Sequence, residues 1–103
     1  MSFKQVTEND FKKEVLEAKK PVLVDFNADW CPPCQMMAKV VHELAEASDD
    51  YDIVSVNIDE SPALAAEYQV SSIPCFVAFR DGKEVERQVG MKPRTVIARM
   101  VEQ

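Results

Sequence analysis

The sequence predicts an α/β fold: a central mixed five-stranded sheet flanked by four helices, in the order βαβαβαββα. Three observations carry this. Short, β-branched apolar runs alternate with stretches of helical periodicity over the first two thirds of the chain. Asp81-Gly82 separates two strand-like runs and marks a hairpin turn. Trp30-Cys31-Pro32-Pro33-Cys34 stands where an apolar strand hands over to a helix.

Residues 2–6 read as a first strand. Thr7-Glu8-Asn9-Asp10 offers capping chemistry for a helix through about residue 19, with Phe11, Val15 and Leu16 on its apolar stripe and Lys19 and Lys20 suiting its C-terminus. Pro21 opens a strand at 22–27. There Val22, Val24 and Phe26 face one way, and Leu23, Asp25 and Asn27 the other, the pattern of a central strand covered on both faces. After Cys34, Met37, Val40, Val41 and Leu44 recur at helical spacing. Ile53–Ile58 is another β-rich run. Ser61-Pro62 supplies an N-cap and N1 proline for a short helix through Tyr68. Residues 70–74 form a loop, 75–79 a fourth strand and 83–89 a fifth, alternating strand nearer the edge. Pro93 opens a last helix with Val96, Ile97, Met100 and Val101 on one face. The early strands alternate with helices, so their connections suit right-handed parallel crossovers, whereas the last hairpin is antiparallel. No linker or repeat divides residues 1–103, which read as one domain.

Composition narrows the function. Acidic residues outnumber Lys plus Arg by 18 to 12, for a net charge of −6. That disfavours nucleic acid as a partner and suits a soluble monomer. No apolar run approaches the ~18 residues of a membrane span. The N-terminus lacks an apolar stretch of signal-peptide length. Three cysteines are too few and too odd for a stapled secreted domain, which favours the cytoplasm.

A Cys-x-x-Cys pair can bind a metal, close a structural disulfide or cycle between dithiol and disulfide. A four-ligand zinc site needs a second pair, and none exists. His42 lies eight residues beyond Cys34, about 12 Å along a helix, too far to complete a site with the pair. A disulfide closing so short a loop adds little stability. A helix N-terminus, in contrast, is where a thiolate is most easily held, because unpaired N–H groups and the helix dipole point at it. Cys31 precedes a proline and so favours the extended geometry of an N-cap. Pro32 and Pro33 fall where a helix needs no donor. Cys34 at the third helical position can aim its N–H back at the Cys31 sulfur. This makes Cys31 the partly exposed nucleophile and Cys34 the more buried resolving thiol.

Val24-Asp25-Phe26-x-Ala28-x-Trp30-Cys31-x-Pro33-Cys34 resembles the active-site stretch of the thioredoxin family. Asn57-Ile58-Asp59, Ile73-Pro74, Asp81-Gly82 and Val89-Gly90 follow in family order and spacing. The resemblance spans nearly the whole chain. It implies the thioredoxin fold, a cis peptide before Pro74, and reduction of protein disulfides. It also implies no bound cofactor, with electrons drawn from NADPH through a thioredoxin reductase and passed to disulfide-containing client proteins. Asp25 matches the family's buried aspartate beneath the cysteines. A carboxylate on a strand covered on both sides is desolvated, its pKa is raised, and it can take a proton from Cys34 directly or through water. A core aspartate satisfied by backbone donors is the alternative. Pro74 matches the cis-proline facing the thiols, and would leave the backbone of Ile73 free to pair with an extended client segment. Trp30, Ile73, Pro74, Gly90 and Met91 would form an apolar contact patch, although Trp30 alone could belong to the core.

The chain departs from the family pattern at several positions. Pro32 replaces the usual glycine, Gln35 a basic residue, Lys39 a proline and Ser55 a lysine near the aspartate. Loss of two nearby cations should raise the Asp25 pKa further. The expected reduction potential is somewhat less reducing than the common thioredoxin's; a shift of ~30 mV needs only about 1.4 kcal/mol. Cys75 stands where threonine is common, as a small buried hydrophobe or as a regulatory thiol, and His42 reads as a solvated helix residue. Other functions remain open at this level: a specialised oxidase, isomerase or dedicated reductant on the same fold, a metal-binding module, or a non-redox scaffold.

Overall fold

The computed structural model describes residues 3–102. Five strands, β1 (Phe3–Gln5), β2 (Val22–Asn27), β3 (Asp52–Asn57), β4 (Cys75–Arg80) and β5 (Lys83–Val89), form one sheet in the order β1-β3-β2-β4-β5. β3 pairs in parallel with β1 and β2, while β4 runs antiparallel to both β2 and β5. The fifth strand is an edge, as its alternation predicts. Residue 2, expected in the first strand, lies outside the described residues.

The period-2 alternation of β2 sorts the core into two layers. Val22, Val24 and Phe26 pack with Val54, Val56, Val77 and Phe79 on one face. Leu23 packs with Ile53, Phe76 and Ala78 on the other. The first face is covered by a π-helical turn (Lys12–Leu16) and by α2 (Pro62–Glu67), with Phe11 and Tyr68 stacked edgewise on Phe79. The second is covered by α1 (Pro32–Ala47) and α3 (Arg94–Glu102), through Met37, Val41 and Leu44 of the predicted stripe and Ile97, Met100 and Val101. Each fully buried side chain of this kind is worth ~1.5–3 kcal/mol, so these two layers dominate the stability.

Two local expectations are corrected. The first helix is shorter than its apolar stripe suggests. Asp10 Oδ1 accepts from Thr7 N–H at 2.7 Å, and the chain then widens so that Glu17 N–H donates to the Lys12 carbonyl, closing a π-turn that ends before Lys19. Ser61 sits at the N-terminus of α2, but its hydroxyl makes no capping bond. Glu8 takes that role from across the fold, its carboxylate accepting from Ala63 N–H at 2.8 Å. The hairpin uses Asp81 and Gly82, both with positive φ. Gly82 is required there twice over, because a Cβ would also lie 2.9 Å from the Leu16 carbonyl oxygen.

Candidate active site

The end of β2 and the start of α1 bring the chemistry together. Cys31 is the N-cap of α1, extended at φ −101° and ψ 104°, and Pro32 and Pro33 occupy the donor-free first turn. The Cys34 N–H points at the Cys31 sulfur from 3.2 Å, as the spacing predicts. Cys31 and Cys34 are joined as a disulfide, with Cα atoms 5.2 Å apart.

Their burial corrects one expectation. In this oxidised form Cys31 is 3% exposed and Cys34 5%, so exposure does not separate the two. The walls around Ala28, Ile58 and Ile73 enclose both sulfurs. Their surroundings do separate them. The Cys31 sulfur lies 3.9 Å from the Ile73 carbonyl, on the side of the Ile73–Pro74 cis peptide. Cys34 instead lines a cavity of about 410 Å³ between α1 and the β1 side of the sheet.

Asp25 lines that same cavity. It is buried at 3% exposure, and its Oδ1 has no hydrogen-bond partner among the described residues. Desolvation pushes the carboxyl up to about 7, against a weaker opposing pull from the Asn27 amide. That amide donates from Nδ2 to the Asp25 backbone carbonyl at 3.0 Å and to Ser55 Oγ at 2.7 Å. A carboxyl poised near neutrality beside a thiol can exchange protons with it.

The opposite rim is apolar. Trp30 is 64% exposed and Met91 is exposed, while Ile73 and Gly90 are half-buried. Trp30 therefore lies outside the core. Pro74 is itself buried, and its carbonyl accepts from Gly90 N–H at 2.8 Å, tying the loop to the end of β5. The exposed surface at this rim thus comes from the neighbours of Pro74 and not from its own ring. Cys75, one residue on, is buried in the core layer under β2, and burial pushes its thiol up. Among the described residues, no three His, Cys, Asp or Glu side chains are grouped to hold a metal ion. No helix among them is long and apolar enough to cross a membrane.

Sequence reasoning missed three contacts. Trp30 Nε1–H donates to Asp59 Oδ2 at 2.7 Å. Gln35 Nε2–H donates to the Asp29 carbonyl at 2.7 Å, and Asn27 to Ser55 as above. Each joins residues distant in sequence or on different elements. The Asn57-Ile58-Asp59 stretch was the one available signal for the first.

A family model described as thioredoxin matches residues 2–103. The chain belongs to the thioredoxin family. It is 50% identical over 94 residues to Thioredoxin 1 of Synechococcus elongatus, covering 90% of this chain and 88% of that protein. It is 46% identical over 98 residues to the chloroplastic M-type thioredoxin of Chlamydomonas reinhardtii, covering 94% of this chain and 70% of that one. A solved mutant thioredoxin from Halobacterium salinarum superposes with a TM-score of 0.90 at 35% identity, over 98% of this chain and 88% of that one. The fold is the thioredoxin fold. Together with a cysteine pair at disulfide distance, these relatives make the chain a thiol–disulfide oxidoreductase that acts on protein disulfides by dithiol–disulfide exchange. Thioredoxins carry out this exchange without a bound cofactor.

Proposed function

We propose that Cys31 is the attacking thiol, Cys34 the resolving thiol and Asp25 the proton acceptor for Cys34. The observation that carries this reading is the opposite outlook of the two sulfurs. Cys31 borders the Ile73 backbone and the apolar rim, whereas Cys34 shares a cavity with the Asp25 carboxyl.

The Cys31 thiolate attacks a client disulfide; that S–S bond breaks and a Cys31–client bond forms. Cys34 then gives its proton to the Asp25 carboxylate and attacks Cys31. The Cys31–client bond breaks as the Cys31–Cys34 bond forms, two electrons have passed to the client, and its two sulfurs, released one at each step, take protons from solvent. Cys31 caps α1, and the Cys34 N–H, which has no intrahelical acceptor, points at its sulfur and supports its thiolate. Pro32 and Pro33 hold the turn, and Pro74 places the Ile73 carbonyl for an extended client segment. Trp30, Ile73, Gly90 and Met91 supply apolar contact.

Thioredoxin reductase, drawing on NADPH, restores the dithiol, and the chain acts as a monomer in the cytoplasm. The unstapled, odd cysteine set and the acidic composition support that setting. Insulin reduction driven by dithiothreitol tests the reading. Activity that vanishes in Cys31→Ser supports it, and activity that survives refutes it.

A further inference from the structure

Trp30 belongs to no helix or strand. It lies on the turn between the end of β2 and Cys31, where Cys31 N–H donates to the Ala28 carbonyl at 3.3 Å. Two side chains hold that turn at Asp29. Gln35 Nε2–H, from the first turn of α1, donates to the Asp29 carbonyl at 2.7 Å, and Asn57 Nδ2–H, from the end of β3, donates to Asp29 Oδ1 at 3.4 Å. Asn57 also shapes the turn that carries the indole's acceptor. Its Oδ1 accepts from Asp59 N–H at 2.8 Å and from Glu60 N–H at 3.2 Å, and its backbone carbonyl accepts from Ser61 N–H at 2.9 Å. Three successive N–H groups thus converge on one residue. The turn they close presents Asp59 Oδ2 to Trp30 Nε1–H at 2.7 Å. Asn57 is buried at 4% exposure, whereas Asp29, Trp30 and Asp59 are exposed.

We propose that Asn57 is a positioning residue for client contact: it ties the Asp29 turn to the Asp59 turn, and through them fixes the Trp30 indole beside Cys31. The inference rests on the client-contact role given to Trp30 above. The position calls for an amide. Asparagine carries an acceptor and a donor on one short side chain. Here the acceptor closes the turn at Asp59 and Glu60, while the donor reaches Asp29. An aspartate would offer acceptors only and set a second carboxylate against Asp29. An alanine would leave Asp59 N–H without its partner and give Trp30 an acceptor free to move. Gln35 holds the Asp29 turn alone, whereas Asn57 touches both turns. An indole already fixed has less freedom to lose when a client packs on it, so the benefit appears in binding and not in bond exchange.

Insulin reduction and tryptophan emission test this together, because Trp30 is the single tryptophan and emission reports its ring alone. Asn57→Ala should shift the emission and raise KM for insulin roughly twofold to threefold, the scale of one lost hydrogen bond, with kcat much less affected. Asn57→Asp should act in the same direction. Adding Asp29→Asn to it swaps donor and acceptor between the two positions, and should return both KM and emission towards wild type. On a Trp30→Ala background, Asn57→Ala should raise KM no further, since both changes act through one ring. Thermal midpoints identify a variant that merely unfolds; if Asn57→Ala does, Asn57→Asp with and without Asp29→Asn carries the test. A folded Asn57→Ala protein with wild-type KM and emission overturns the proposal. So does a swap that restores neither, or a rise in KM that persists on the Trp30→Ala background. Trp30→Ala at the wild-type KM would instead remove the client-contact role of Trp30, whatever Asn57→Ala does to the emission.

Discussion

Asp25 and Ser55 stand opposite one another on the parallel strands β2 and β3, yet the Ser55 hydroxyl accepts from Asn27 and leaves the Asp25 carboxyl oxygen Oδ1 unpartnered. Two polar side chains on one covered face would ordinarily satisfy each other. Here the carboxyl faces a cavity with no lysine or arginine in its wall. Burial therefore acts on it with little opposition, and the charged form is disfavoured.

Stability should record this. The carboxyl moves from 3.8 to about 7 on folding, so between those values the native state holds a proton that the unfolded chain has lost. Stability present below about 3.8 is therefore lost as pH rises to about 7, and it is flat beyond. At ~1.4 kcal/mol per unit, the loss is on the order of 4 kcal/mol at most. Asp25→Asn, which cannot ionise, should be more stable than the parent at pH 8, with an advantage that shrinks towards nothing below pH 4. Urea midpoints at several pH values measure it.

Returning a cation to the cavity should reverse the shift. Ser55→Lys places an ammonium beside the carboxyl, and an opposite charge within ~4–6 Å lowers a carboxyl by about 1–3 units. The Asp25 titration, followed by carboxyl-carbon NMR in the reduced protein, should move down from about 7. An unmoved titration would mean that the lysine had turned away into solvent.

Trp30 is held outward by its hydrogen bond to Asp59. Its indole offers apolar contact area with little conformational entropy left to lose. Asp59→Ala should loosen the ring, with a change in the emission of the chain's single tryptophan. Trp30→Ala should raise KM for insulin by a few fold while leaving the rate with a small aromatic disulfide nearly unchanged. Equal losses with both substrates would place Trp30 in the chemistry and not in client contact.

The hairpin gives a prediction remote from the site. Gly82→Ala meets a left-handed φ of +80° and a carbonyl oxygen 2.9 Å from the new Cβ. The left-handed conformation alone costs roughly 1–2 kcal/mol, so the melting midpoint should fall by several degrees. Insulin reduction at 25 °C should be unchanged.

Much of this was legible in the sequence because local rules and tertiary demands agree. The two-face alternation of β2, the 3.6-residue stripe of α1, and the Asp81-Gly82 turn each depend on near neighbours, and each appears as expected. Cys31 at the N-cap follows from one residue, Pro32. Where the reading failed, a distant group won in most cases. Glu8, from across the fold, displaced Ser61 as the cap of α2. The first helix ended for a local reason the stripe does not carry, the widening that pairs Glu17 N–H with the Lys12 carbonyl. The equal burial of Cys31 and Cys34 comes from Ala28 together with Ile58 and Ile73, and the last two stand far from the motif in sequence. The cavity is likewise a property of packing: it needs Ala38 and Ser55 to be small on two separate elements.

The division of labour between Cys31 and Cys34 is the centre of this account, and trapping tests it most directly. Reduced Cys34→Ser protein is mixed with a disulfide-bonded client and the products are separated without reductant. A stable Cys31–client adduct should accumulate, because attack proceeds and release does not. Cys31→Ser should form little or none. Adducts that accumulate on Cys34 in the Cys31→Ser protein, with none on Cys31 in the reciprocal variant, would contradict the assignment of the two thiols.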